Sequence, residues 1–223
     1  MLREVDRQLE GFDRMIYQGF IDLANQVLTQ QKEGSNKIYS LHEPHVYCMG
    51  KGKDWKRYEF GSKVNVLWGR RSGLIMAVHN CIKNVHDGKT IEPVLEQFER
   101  VNGYLPEECI TDRGLRGKGE VKGVKIGIPK PAGKKATKYQ KQMIRDKFRK
   151  RAGIEPVIGH LKGDFRMKRN YLSGIDGDHH NVAMAAVGFN IRKWIRCYLK
   201  HLKNRLKIIK LPEYQIYYLK FTA

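Results

Sequence analysis

The sequence is short of negative charge. It sets 23 Asp and Glu against 43 Lys and Arg, leaving +20 at pH 7. That is far more than solubility requires and points to a polyanionic partner, with nucleic acid the leading class. A basic membrane-surface protein would carry its charge on an amphipathic helix beside an aromatic face. Here most of the excess falls in a Gly- and Lys-rich middle segment instead. Long apolar runs are missing too: no stretch of 18 apolar residues occurs, so no membrane span is expected. The first residues, Met1-Leu2-Arg3-Glu4-Val5-Asp6, lack the charge order and apolar stretch of a signal peptide. The expected location is therefore the cytoplasm, at the nucleoid. Cysteine is scarce and scattered, at 48, 81, 109 and 197. That spacing excludes a C-x-x-C metal knuckle, and a reducing compartment argues against disulfides, so the four are expected as buried small hydrophobes.

What is present is enough to fold. With 223 residues and 41% apolar content, the chain can bury a core of one domain plus an appendage. Apolar residues from Leu2 to Leu28 recur at steps of three and four, which predicts an amphipathic helix interrupted near Gly11 and stopped by Gly34-Ser35-Asn36. From Lys37 to about Ile82 the text turns to Val, Ile, Tyr and Trp with Gly punctuation, predicting hairpin strands with a turn at Arg70-Arg71-Ser72-Gly73. Asp87-Gly88-Lys89-Thr90 caps a predicted helix over 91–102, where Ile91, Val94, Leu95, Phe98 and Val101 share one stripe. Two short apolar runs follow, ending at Asp112-Arg113-Gly114 and at Pro129. Then come a charged helix over 137–151, a helix opening at Glu155-Pro156 and a final long helix over 179–206. The apolar face of that last helix is expected to comprise Val182, Ala183, Ala186, Phe189, Trp194 and Leu199. This order predicts an α/β protein with a mixed sheet and flanking helices.

Between Arg113 and Arg151 stand 15 Lys or Arg against only Glu120 and Asp146, so this segment supplies about +13 of the +20. Basic side chains set against phosphates release condensed counterions, giving strong, sequence-indifferent binding at low salt. Asp112, at the end of an apolar run, and Glu155, at a helix start, lie within this cationic surround, which keeps them ionised. Carboxylates converging from different elements are what hard divalent cations need for phosphoryl transfer. The same residues have plainer readings: Asp112 caps a turn, and Glu155 pairs with Arg151 one helical turn earlier.

Several ordered motifs carry a resemblance. They are Tyr39-Ser40-Leu41-His42-Glu43-Pro44, Lys51-Gly52-Lys53, Tyr58-Glu59-Phe60-Gly61-Ser62-Lys63-Val64, Asp87-Gly88-Lys89-Thr90, Thr111-Asp112-Arg113-Gly114, Ile154-Glu155-Pro156-Val157-Ile158-Gly159-His160-Leu161-Lys162, and Asn170-Tyr171-Leu172 with Gly177-Asp178 and Asn181. With them, Lys37 to Arg196 resembles the DDE domain of bacterial insertion-sequence transposases. The resemblance implies a ribonuclease H-like fold in which three carboxylates hold two Mg²⁺ ions for DNA cleavage and strand transfer. On it, Asp112 matches the second acid and Glu155 the third, both as catalytic metal ligands. Arg113, Arg151, Lys162 and Arg166 are the expected nucleic-acid contacts. The division implied is a helical remnant over 1–36, the DDE domain over 37–206 and a tail over 207–223.

The chain also departs from the family's pattern. The first aspartate belongs to a strand upstream of a helical insertion, and residues 1–36 resemble only the end of that insertion. None of Asp6, Asp13, Asp22 or Asp54 lies in an apolar strand. The expectation is a truncated, catalytically impaired copy with its first strand missing and two strand edges open, partnered by DNA and by a second copy or a full-length transposase. The alternative is a non-catalytic basic DNA-binding protein. Smaller signals weigh little: His42 and His45 have chelate spacing but Pro44 between them, and Gly88-Lys89-Thr90 lacks the glycine-rich turn of a P-loop. His160 is expected either beside the active site or satisfied in the core. Trp55, Tyr58 and Trp68 are candidates for stacking on bases, with sheet packing the plainer role for Trp68.

Overall fold

A computed structural model of the protein describes residues 2–115, 117, 119–133 and 135–208, so the expected tail lies outside the described residues from 209 onward. The amphipathic N-terminus forms α1 (Leu2–Gln8) and α2 (Gly11–Thr29), broken where the sequence predicts. Two hairpins follow, β1 (Tyr47–Lys53) with β2 (Lys56–Gly61), and β3 (Lys63–Trp68) with β4 (Ile75–Cys81). The β3–β4 turn falls on Arg70–Gly73 as expected, closed by the Gly69 N–H donating to the Leu74 carbonyl at 2.9 Å. Helix α3 (Ile91–Asn102) has the bounds its apolar stripe predicts. It stops at Gly103, whose φ of 75° is left-handed backbone that only glycine adopts without cost.

Next come β5 (Glu108–Ile110), the unforeseen β6 (Glu120–Val121) and β7 (Val124–Gly127). Helix α4 (Lys138–Ala152) is opened by a reciprocal cap in which Thr137 and Gln140 bond each other's backbone. Helices α5 (Ile154–Gly163) and α6 (Gly174–Ile208) complete the fold, α6 beginning about a turn earlier than its sequence pattern indicates.

The mixed α/β architecture is present, but the sheet is not one piece. It is divided into β1–β2, β3–β4 and a three-stranded unit of order β5-β7-β6, in which β5 and β7 run parallel. Among the described residues β3 pairs only with β4, and β5 only with β7, so no strand bridges the two units. What joins them is side-chain packing. Ile91, Val94, Leu95 and Phe98 of α3 bury against Ala77 and Leu67 of the hairpin and against Cys109, Val124 and Ile126 of the three-stranded unit. Each such fully buried aliphatic or aromatic side chain contributes about 1.5–3 kcal/mol.

The other face of the hairpin carries Val66, Trp68 and Val78. It packs on Val157 and Leu161 of α5 and on Ala185, Ala186 and Phe189 of α6. The Asn190 amide fastens α6 to β4, accepting from the Ile75 N–H and donating to the Ile75 carbonyl, both at 2.8 Å. The apolar face expected for the last helix is corrected here. Val182, Ala186 and Phe189 are buried, but Ala183, one position round the helix from Val182, is exposed, and so are Trp194 and Leu199, which lie past the turns packed on the hairpin.

Candidate active site

Asp112 directly follows β5, where the Thr111 N–H still donates to the Gly127 carbonyl of β7 at 2.9 Å. Its Oδ1 accepts the Gly114 N–H at 2.9 Å, the turn-capping geometry that Asp favours. Gly114 could not be larger: a Cβ there would collide with the Asp87 carboxylate and lie 3.1 Å from Asp112 Oδ1. Asp87 therefore flanks the Asp112 turn, a neighbour that sequence reasoning passed over. The cap position of α3 falls at Thr90, within the expected segment, and the Asp87 carboxylate is engaged elsewhere. Lys63 Nζ donates to Asp87 Oδ1 at 2.8 Å and to the Val85 carbonyl at 2.9 Å, while His86 Nδ1 accepts from Gly88 and the Asp87 carbonyl accepts from Thr90. Lys63 and Asp87 come from separate family-like motifs, and the fold brings both to Thr111-Asp112-Arg113-Gly114.

Asp87, Asp112, Gly114, Phe148 and Arg151 line one cleft of about 330 Å³. Arg151, near the end of α4, thus shares a cleft with Asp112. Glu155 is not among the cleft's lining residues; it is exposed on the first turn of α5, its Oε1 3.5 Å from Arg151 Nη2. Both plainer readings, the turn cap and the helical pair, are thus realised in the geometry. Lys162 and Arg166 are exposed and do not line this cleft. Arg113 begins the short turn after Asp112, with its side chain outside the described residues.

For a pair of divalent ions the donors present fall short. Among the described residues no three His, Cys, Asp or Glu side chains are grouped to hold an ion. The Asp87 carboxylate is paired with Lys63 at 2.8 Å and the Glu155 carboxylate with Arg151 at 3.5 Å.

The remaining sequence candidates find other roles. His160 is exposed, not core, and its Nδ1 lies 2.9 Å from Asp164 Oδ2, which also accepts from Arg192 at 2.7 Å. These two donors, Arg192 first, hold the Asp164 carboxyl below the usual range. His45 is enclosed by Glu43 and Asp178, at 3.4 and 3.1 Å, and Glu43 accepts from the Gly174 N–H. These motif residues tie the segment before β1 to the start of α6. Trp68 packs in the core with its ring against Gly153, while Trp55 and Tyr58 are exposed. Cys81 and Cys109 are buried, and burial pushes the Cys109 thiol up to about 11. Cys197 is exposed, against expectation. A larger cleft of about 430 Å³, between β4, α3 and α6, contains neither candidate acid; there burial, then the neighbouring His179, lowers the His79 pKa.

The Asp112 carboxylate at a strand end and the Arg151 guanidinium thus line one cleft of a helix-flanked α/β domain. The sequence profile of the transposase DDE domain matches residues 27–191, and the chain belongs to that family. The family's activity is DNA cleavage in transposition, generally with a divalent metal. No curated protein and no solved structure matches the chain. Among the described residues no helix is long and apolar enough to cross a membrane.

Proposed function

We propose that this chain binds DNA for transposition-type cleavage and strand transfer on a ribonuclease H-like scaffold, and that its cleavage is impaired. Asp112 and Glu155 are its acid ligands for Mg²⁺, too few for paired-ion chemistry. Arg151 binds the phosphate backbone, with Arg113, Lys162 and Arg166 as further contacts. The supporting observation is that Asp112 and Arg151 face the same cleft. A phosphodiester entering there replaces Glu155 on the guanidinium, a bidentate partner that arginine's planar fork suits, and frees the Glu155 carboxylate. The partners under this reading are DNA and further transposase chains, a second copy included.

The test compares the parent with the Asp112→Ala/Glu155→Ala double variant. Mg²⁺ is expected to raise the parent's melting temperature and not the variant's, while DNA binding persists or rises. Plasmid incubated with the parent and Mg²⁺ or Mn²⁺ is expected to stay essentially uncut; robust, end-specific nicking would falsify the impairment.

A non-catalytic DNA-binding role is the second reading. It is favoured by α4, which carries seven of the chain's basic residues between Lys138 and Arg151 and buries no side chain. Absence of Mg²⁺ stabilisation with DNA affinity intact would select it.

A further inference from the structure

Two carboxylates from different parts of the chain line the cleft with Arg151. Asp112 follows β5, and Asp87 lies on the loop that leads from β4 into α3. A Cβ on Gly114 would touch both Asp87 Oδ2 and Asp112 Oδ1. Only a space the size of one methyl group separates these two oxygens.

Strand β3 does the placing. Lys63 Nζ donates to Asp87 Oδ1 at 2.8 Å, which leaves Oδ2 turned toward Gly114 and Asp112. Two residues further along β3, Asn65 Nδ2 donates to the Thr90 carbonyl at 3.3 Å. The Thr90 hydroxyl in turn lies 3.2 Å from Asn65 Oδ1 and 2.8 Å from the Asp87 carbonyl. Side chain and backbone of Asp87 are thus both anchored to β3.

Like charges held this close repel, and the single Lys63 ammonium offsets only part of the cost. A divalent cation between them would turn that repulsion into ligation. Mg²⁺ is held by one or two carboxylates, keeps several waters and takes phosphate oxygens for the rest of its shell. Asp87 and Asp112 supply that minimum, and both side chains are open to solvent.

We infer that Asp87 is a metal ligand and that with Asp112 it holds a single divalent cation, Mg²⁺ in the working protein, before DNA is bound. Asp87 in this role depends on the Mg²⁺ ligation proposed for Asp112 and extends it. Glu155, paired with Arg151 until a phosphodiester displaces it, joins the ion only afterwards.

The experiment is a Mn²⁺ titration of the full chain, freed of nucleic acid, with free Mn²⁺ followed by electron paramagnetic resonance. The parent is expected to bind one ion. Asp87→Asn and Asp112→Asn are each expected to weaken binding at least tenfold while circular dichroism stays unchanged. Glu155→Gln is expected to change it less than twofold until DNA is added. Lys63→Met removes the cation that competes for Asp87 and is expected to tighten binding at least threefold, a gain that misfolding cannot produce. Binding that depends on Asp112 and Glu155, with parent affinity in both Asp87→Asn and Lys63→Met, overturns the inference and leaves the pair of Asp112 and Glu155 standing. A parent that binds no Mn²⁺ overturns both, whatever its affinity for DNA.

Discussion

Asp112 and Glu155 differ in what holds them. The Asp112 turn is built from several separated parts of the chain: β5 leads into it, the β7 carbonyl pins Thr111, Asp87 closes on Gly114, and Lys63 reaches across from β3 to fix Asp87. Among the described residues Glu155 pairs with Arg151, on an exposed helix junction. One acid is fixed by tertiary packing and the other by a local pair that a competing phosphate can dissolve. A site whose two halves differ this way has a rigid wall and a responsive one, and mutations on the two sides should have opposite signatures.

The largest effect is expected at the rigid wall. Gly114→Ala forces a methyl group into the Asp87 carboxylate, and the overpacking should cost about 1–3 kcal/mol of folding stability in urea titration. On the Glu155 side, Gly159→Ala meets nothing within 4 Å in mid-helix and should stabilise by about 0.5–1 kcal/mol. If both glycines tolerate alanine equally, the contrast fails.

The Lys63–Asp87 pair comes next. Lys63→Met removes two hydrogen bonds, one to a carboxylate, and should cost about 1–2 kcal/mol. A double-mutant cycle with Asp87→Asn should show coupling of at least about 0.5 kcal/mol; additive losses would mean that the pair does not brace the turn.

These polar braces are where the sequence was least legible. Helix α3 could be read to the residue because its apolar stripe and terminal Gly103 are local signals. The strand leading to Asp112 was legible for the same reason, as a short apolar run stopped by Asp and Gly. Lys63 and Asp87 stand 24 residues apart and Glu43 and Gly174 stand 131 apart, and no periodicity connects them. The far half of α6 was misread for a related reason. Helical spacing identifies an apolar face but not whether strands extend far enough to cover it, so Trp194 and Leu199 looked like core and proved to be surface. The division of the sheet was likewise hidden, since each strand's own text says nothing of whether a neighbour bonds its second edge.

At the responsive wall, Arg151→Ala should hardly alter stability, by about 0.5 kcal/mol or less, as befits an exposed helical pair. DNA affinity should fall, and the slope of log affinity against log salt should shrink by about one. An unchanged slope would mean that the guanidinium meets no phosphate and that Glu155 is its only partner.

The smallest effect concerns what steadies α5 itself. Asp164 follows that helix and joins Arg192 of α6 to His160, and these donors hold its carboxyl below the usual range. A carboxyl depressed in the folded state contributes stability above its unfolded value near 3.8 and loses it as pH falls through the lower folded value. Asp164→Asn should therefore lower melting slightly at pH 6, and the difference should fade as acid carries the pH below the folded value. Because the group is exposed, salt should shrink that difference. A difference that grows with acid instead would show that protonated Asp164 supports the helix junction, and Arg151 and Glu155 would then rest on a hydrogen bond and not on an ion pair.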